Sequence, residues 1–582
     1  MTVTAQRWLL RGDVLPLRPA GPRPAPARHI VLRAPALTGT ALAVVFFALA
    51  QTPSLLPRSW ATQGAVGGLS AAAGYGIGVL LALVARPLLR RPAVTRLGSR
   101  GRRIAWWVVG VLAAALIVVS LVAGRAWQRE IRALVGMPPQ ETWHESGILV
   151  VAALVAVVVV LTGRSLRLAV RGLQQLLRRV APEWLAAALG GLLGALLVGG
   201  LIQGLVLGTF FDTAERSAAL ANDATAPGVV QPVSANRSGS PESLVPWTSL
   251  GSRGRELVAG GPTPQQISEL TGRPAADPIR VYVGVETEPD LDDRVALALA
   301  ELDRTGAWNR DVLVVATTTG TGWVNPESLA AVEYLTDGDS AVVTIQYGYL
   351  PSWISVLSDG SRATEAGKAL TGAVRQRWAE LPAGQRPRLM VYGESLGSRG
   401  AESAFRDVGD LIGSTDAALL VGPTSANPLW RAEVAAREPG SPVWLPVQSG
   451  GRVVFADKPD DLPAPGEGRR PDLVYLQNSS DPVTWWSPSL LWQQPGWLQG
   501  PRGPDVSPAM RWYPVVTFWQ VAVDLVSAGG DIPSGHGHRY GPEIAQAMAT
   551  LLAPDGWDAA DTARLRTLVM DPEITGDVDL QG

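Results

Sequence analysis

Three residue types in this chain have the spacing to do covalent chemistry. Ser395 lies in RLMVYGESLGSRGAESAF, with Gly393 and Gly397 two residues to either side. An apolar, strand-like run (Leu389 to Tyr392) leads into it, and a helical pattern begins at Ala401. A strand–turn–helix of this kind holds a serine hydroxyl at a sharp, strained bend where it can attack as a nucleophile. Glycine is needed at both flanks because a side chain at either would collide across the turn. Such a serine needs a base to take its proton and a carboxylate to orient that base.

After Ser395 the chain has only two histidines, His536 and His538, both in DIPSGHGHRYG. The carboxylate should follow a late strand, between serine and histidine in the chain. Asp481 in LVYLQNSSDPV meets that condition; Asp472 begins the same strand at its opposite end, and Asp531 is too close to the histidines. His536, between two glycines, is favoured as the base, with His538 as the alternative base or as a contact to substrate. The oxyanion produced by attack should meet the N–H of Leu396 and one from TTTGTGW, through Gly320, Thr321 or Gly322. A His-x-His pair is also a metal-ligand spacing, but no clustered cysteine or third histidine accompanies it. No cofactor and no metal are expected.

These residues need a sheet to hold them. Strand-like runs occur at 279–286, 311–318, 341–349, 388–392, 417–422, 452–456 and 473–478, with helical patterns at 292–306, 327–335 and 363–381. Strands alternating with helices of this length predict an α/β domain with a doubly wound, mostly parallel sheet, whose active groups collect at the carboxyl ends of the strands. That domain is expected over 279–582, after a Ser-, Pro- and Gly-rich linker (213–278) with one short helix near Ile267. Aromatic residues gather after Asp481, where Trp485, Trp486, Trp492 and Trp497 could line an acyl pocket, rest at a membrane surface or simply pack.

The first part of the chain differs in chemistry. Residues 1–212 carry 22 Arg and 6 acidic residues, about +16, while the remainder is about −17, so the net charge of −1 averages two unlike halves. Cysteine is absent, which excludes disulfides and thiolate metal sites. Five uncharged apolar stretches (34–57, 59–85, 104–124, 146–163 and 184–211) predict about five transmembrane helices over 34–212, after a basic tail at 1–33. Pro53 and Pro57 shorten the helical part of the first. Alternate connections carry 18 arginines against 4. That bias places the N-terminus in the cytoplasm and the C-terminal domain outside it, in a multi-pass cell-membrane protein. The alternation with hydrophobic spans also explains the basic loops without nucleic acid. No charge lies within the spans, which favours an anchor over a transporter.

The ordered motifs PSLLPRSWATQG, TGTGWVNP, GESLGS, SSDPVTWW and GHGHRYG resemble the actinobacterial integral-membrane α/β-hydrolase family, over about residues 40 to 550. The resemblance implies a serine-hydrolase domain of α/β-hydrolase fold joined to a membrane domain, with Ser395, Asp481 and His536 at the matching positions. It supplies no substrate and no oligomeric state. The leading expectation is an esterase- or lipase-like enzyme acting on a lipid or other acyl ester or thioester. An acyltransferase using the same acyl-enzyme is the second, and a non-enzymatic membrane interaction module the third. The complete set of serine, acid and histidine argues against the last.

Overall fold

The computed structural model describes residues 36–88, 99–139, 144–179, 182–200, 209–350, 360–466, 468–528 and 530–571. The chain opens with five helices: α1 (Leu37–Ala50), α2 (Trp60–Leu88), α3 (Ser99–Leu134), α4 (Glu145–Leu177) and α5 (Glu183–Gly200). Among the described residues, three apolar stretches are long enough to cross a membrane: Trp60–Ala85, Arg103–Leu134 and Glu145–Leu177. The first expected span does not reach that length. Helix α1 has 14 residues, about 21 Å at 1.5 Å per residue, against a hydrocarbon core of about 30 Å. Pro53 and Pro57 lie in the loop that follows it. The fifth expected stretch runs into residues 201–208, outside the described residues. The basic tail (1–33) also lies outside them.

The segment expected as a linker is folded onto the sheet. It contains α6 (Thr209–Asp223), α7 (Gly251–Ala259) and α8 (Pro264–Thr271), and Val245, Leu250 and Ile267 are fully buried in the main core. Its polar composition hides this, because the packing is partly by charge. Arg237 is buried beside the first strand, where Ser238 N–H donates to Arg280 O (3.0 Å) and Arg280 N–H to Asn236 O (3.0 Å). An otherwise open sheet edge is thereby covered.

All seven expected strands form: β1 (Ile279–Val283), β2 (Val312–Thr317), β3 (Ser340–Ile345), β4 (Arg388–Glu394), β5 (Ala417–Val421), β6 (Val453–Ala456) and β7 (Leu473–Leu476). Val, Ile and Leu dominate them, and β1, β2, β3, β5 and β7 are buried throughout, as sheets covered on both faces require. They pair in parallel in the order β1-β3-β2-β4-β5-β7-β6. Helices α9 (Leu291–Thr305), α10 (Pro326–Leu335), α11 (Ser361–Glu380), α12 (Leu396–Glu402) and α13 (Pro428–Ala436) connect them, and α14 (Val516–Ser527), α15 (Pro542–Leu552) and α16 (Ala559–Leu568) follow. The chain leaves β2 for β3 on one side and returns to β4 on the other. This reversal opens a crevice at the carboxyl ends of β2 and β4, where open α/β sheets place their sites.

The two parts are locked together by a buried joint. Arg58, in the loop between α1 and α2, pairs through Nε with Asp524 Oδ1 of α14 at 2.8 Å, both side chains fully buried. Asp524 Oδ2 also accepts from Ser54 Oγ and from Leu55 N–H (3.2 Å), and Leu55 and Leu56 are completely buried in the core around β4, β5 and β7. On α3, Gln128 accepts from Arg58 N–H (2.9 Å) and Glu130 from Ser507 Oγ (2.8 Å). The α/β domain therefore rests on the arginine-poor ends of the helices. The opposite end of α4 carries Arg164, Arg167 and Arg171.

Candidate active site

The elbow at Ser395 has the geometry its glycines imply. Ser395 takes φ 59° and ψ −124°, a conformation that L residues adopt only when their surroundings impose it. Its N–H donates to Val421 O of the adjacent strand β5 (2.8 Å). A Cβ at Gly393 would stand 2.3 Å from Gly397 O, and one at Gly397 would stand 2.2 Å from Thr317 O. Both flanking positions are closed to side chains by backbone rather than by movable groups. The Ser395 hydroxyl is buried and makes no hydrogen bond among the described residues. The first N–H groups of α12, starting with Leu396, have no carbonyl a turn earlier to bond.

Asp481 stands five residues past β7, at the start of the short helix Pro482–Trp485, and is fully buried. Its Oδ1 accepts from Val483 N–H (2.8 Å); Oδ2 accepts from Tyr540 OH (2.8 Å) and lies 2.6 Å from His538 Nδ1. A carboxylate acceptor puts the proton on Nδ1 and leaves Nε2 as the basic nitrogen. The imidazole hangs beside the elbow: a Cβ at Gly422, the residue after the strand that holds Ser395 N–H, would stand 2.7 Å from His538 Cε1. Burial would lower the imidazole's proton affinity, but the bonded Asp481 outweighs it and raises the pKa above the ordinary value.

The expected pairing of His536 with Asp481 is therefore corrected: His538 makes it. His536 turns away, and its Nδ1 lies 2.8 Å from Asp505 Oδ2. Gly535 and Gly537 have φ 83° and 57°, a twist that sends the two rings to different carboxylates instead of side by side. Asp505 also accepts from Lys458 Nζ (2.8 Å), and Lys458 donates to Gly535 O (2.6 Å). Burial opposes ionisation of Asp505, but His536 and Lys458 hold its pKa below the usual carboxylate range. Ser480 and Asn478 fix the loop further, Ser480 Oγ accepting from Gly537 N–H (3.0 Å) and Asn478 Nδ2 donating to Gly537 O (3.0 Å). The side chain of Leu56, from the interhelical loop, packs beneath Gly537. Sequence reasoning missed Asp505, Lys458 and Leu56. Asp505 sits in a Pro- and Gly-rich stretch with no strand before it, and Leu56 is more than 300 residues from the elbow.

The loop after β2 adjoins the elbow through Thr317 O. Gly322 is removed from the oxyanion candidates, because its N–H already donates to Thr319 O (3.0 Å) in the turn that its φ of 88° allows. Gly320 and Thr321 N–H have no partner among the described residues. Glu394, next to the serine, is a second buried carboxyl. Burial raises its pKa, against the bonds it accepts from Tyr392 OH (3.1 Å) and Asn325 Nδ2 (3.2 Å).

The tryptophans lie in unlike surroundings. Trp485 is buried between Trp430 and Trp497 (ring centroids 6.0 and 5.9 Å away) and is core packing. Trp486 meets Phe518 of α14 at 5.5 Å, and Trp492 is 66% exposed. Among the described residues no group of three or more His, Cys, Asp or Glu side chains is arranged to hold a metal ion.

Residues 279–565 match the model of an alpha/beta-hydrolase family, and residues 51–262 match the model described as the N-terminus of that alpha/beta-hydrolase family. No curated protein and no solved structure matches the chain.

Proposed function

Since the chain belongs to an alpha/beta-hydrolase family across both its halves, we propose that it is a membrane-anchored serine hydrolase of carboxylic esters or thioesters. The observation that carries this is the strained Ser395 at the end of β4, with the Asp481–His538 pair over the end of the neighbouring strand. In this reading Ser395 Oγ attacks the acyl carbonyl as its proton passes to His538 Nε2. The carbonyl oxygen takes the negative charge and is met by the N–H groups of Leu396 and of Gly320 or Thr321. The tetrahedral intermediate collapses, the leaving alkoxide or thiolate takes the proton from His538, and Ser395 is left acylated. Water, deprotonated by the same nitrogen, then releases the acid and restores the hydroxyl. Asp481 stays ionised, fixing the Nδ1–H tautomer and balancing the imidazolium. In apo structures the serine–histidine bond is often open and closes when substrate arrives, which fits the unpartnered Ser395 hydroxyl.

The arginine bias, and the docking of the α/β domain on the arginine-poor helix ends, support a catalytic domain outside the cytoplasm. A reporter active only outside the cytoplasm, fused after Gly582, should be active; activity only from a cytoplasmic reporter would overturn the orientation. Purified full-length protein should hydrolyse a chromogenic short-chain ester, and Ser395→Ala should not. Equal rates in the two would refute the mechanism.

A further inference from the structure

Helix α14 is part of the hydrolase domain, and its polar side chains Thr517, Gln520 and Asp524 are all buried on one side of it. Val516 is buried against Ala50 and Val66 of α1 and α2, with Phe46, Leu49 and Val523 packed around them. Val521 and Leu525 face the hydrolase core. Asp524, its one charged residue, is neutralised by Arg58. At about 100° per residue the remaining sector of the helix is formed by Phe518, Trp519, Ala522 and Val526. Neither the hydrolase core nor α1 and α2 covers this sector fully: Phe518, Trp519 and Ala522 are half-buried and Val526 is 55% exposed.

What lies against that face follows from its neighbour. The adjoining face of the same helix rests on residues inside the apolar stretches of α1 and α2, Val66 lying about 9 Å into α2 at 1.5 Å per residue. Helix α14 therefore runs alongside the outer turns of those two helices, and while its polar sector is buried in protein, its uncovered sector presents only apolar side chains, as a lipid-facing surface would. From this face an aromatic path leads inward. Phe518 packs at a tilt against Trp486 (ring centroids 5.5 Å apart), and Trp486 O accepts from Ser425 Oγ on the loop after β5. Gly422 of that loop lies against His538. Ser395 itself is only 2% exposed.

Resting on the serine-hydrolase reading, we infer that the substrate is a long-chain acyl ester resident in the bilayer, and that it reaches Ser395 from the lipid side of α14, past Phe518 and Trp486. The uncovered face of α14 is occupied by lipid acyl chains.

Two measurements test this on the full chain in phosphatidylcholine vesicles. The first needs no activity. The protein has no cysteine, so Val526→Cys gives a unique site for an environment-sensitive fluorophore. Its emission should be quenched by spin-labelled lipid and little by aqueous iodide; the reverse pattern overturns the lipid-facing assignment. The second compares a fluorogenic palmitate ester dissolved in the vesicles with a water-soluble acetate ester. Phe518→Ser and Val526→Glu should each lower the ratio of vesicle-ester to soluble-ester turnover at least tenfold. An unchanged ratio, or a wild type that cleaves the acetate but not the palmitate, refutes the lipid route. A wild type inactive on both, with the fluorophore quenched by lipid, would instead refute the hydrolase reading and leave the lipid-facing helix standing.

Discussion

Replacing Asp524 by alanine should be among the most damaging single changes outside the catalytic residues. The carboxylate accepts from Arg58 Nε, Ser54 Oγ and Leu55 N–H at once. Arg58 keeps Gln520 O (2.8 Å) and Gln63 Oε1 (3.2 Å) as acceptors but loses the one counter-charge it has among the described residues, with both side chains shut off from solvent. Removing one partner of a buried pair costs about 3–5 kcal/mol, because the other charge stays buried. Replacing both partners costs far less, since the orphaned charge is gone as well. Asp524→Ala should therefore destabilise by about 3–5 kcal/mol, and Asp524→Ala with Arg58→Met by distinctly less, giving a coupling of about 2 kcal/mol or more. The assay is unfolding of the four members of the cycle in detergent, followed by tryptophan fluorescence. A loss below about 1 kcal/mol for Asp524→Ala, with no coupling, would show that the interhelical loop is not docked on the hydrolase domain.

The two histidines should separate cleanly. His538→Ala should lower kcat by a factor on the order of 10³ or more, whereas His536→Ala, which releases only the loop through Asp505, should lower it by roughly tenfold; steady-state kinetics with melting controls decides between them. The acidic limb of kcat/KM should lie above the ordinary histidine value of about 6.5, because Asp481 raises the affinity of His538 for the proton that must leave before it can act as a base. Activity is then lost as pH falls through that raised value, and in Asp481→Asn any residual limb should move to lower pH; a limb that stays in place would detach His538 from the profile. Gly397→Ala should cost about 1–3 kcal/mol of stability, and at least tenfold in kcat, since its Cβ would stand 2.2 Å from a backbone oxygen that cannot step aside.

Much of this architecture is legible in the sequence, for definite reasons. The strands read correctly because sheets buried on both faces demand unbroken apolar runs. The elbow reads correctly because backbone contacts exclude every residue but glycine at 393 and 397. The position of Asp481 just past β7 is legible because an apolar run and a polar turn precede it. The choice between His536 and His538 is not legible, since it depends on Asp505 and Lys458, which come from loops far away in the chain. Composition misleads over 213–278, where serine and proline disguise buried Leu250 and Ile267 and an arginine pairing with a strand. Positional counting cannot reveal that Gly322 N–H is spent within its own turn.

In the proposed mechanism Ser395 is a nucleophile activated by His538. Full-length protein treated with a fluorophosphonate, digested and analysed by mass spectrometry tests it directly. One adduct is expected, on Ser395, absent in Ser395→Ala and formed much more slowly in His538→Ala than in His536→Ala. An unlabelled Ser395 in folded protein, or labelling at the wild-type rate in His538→Ala, would contradict it.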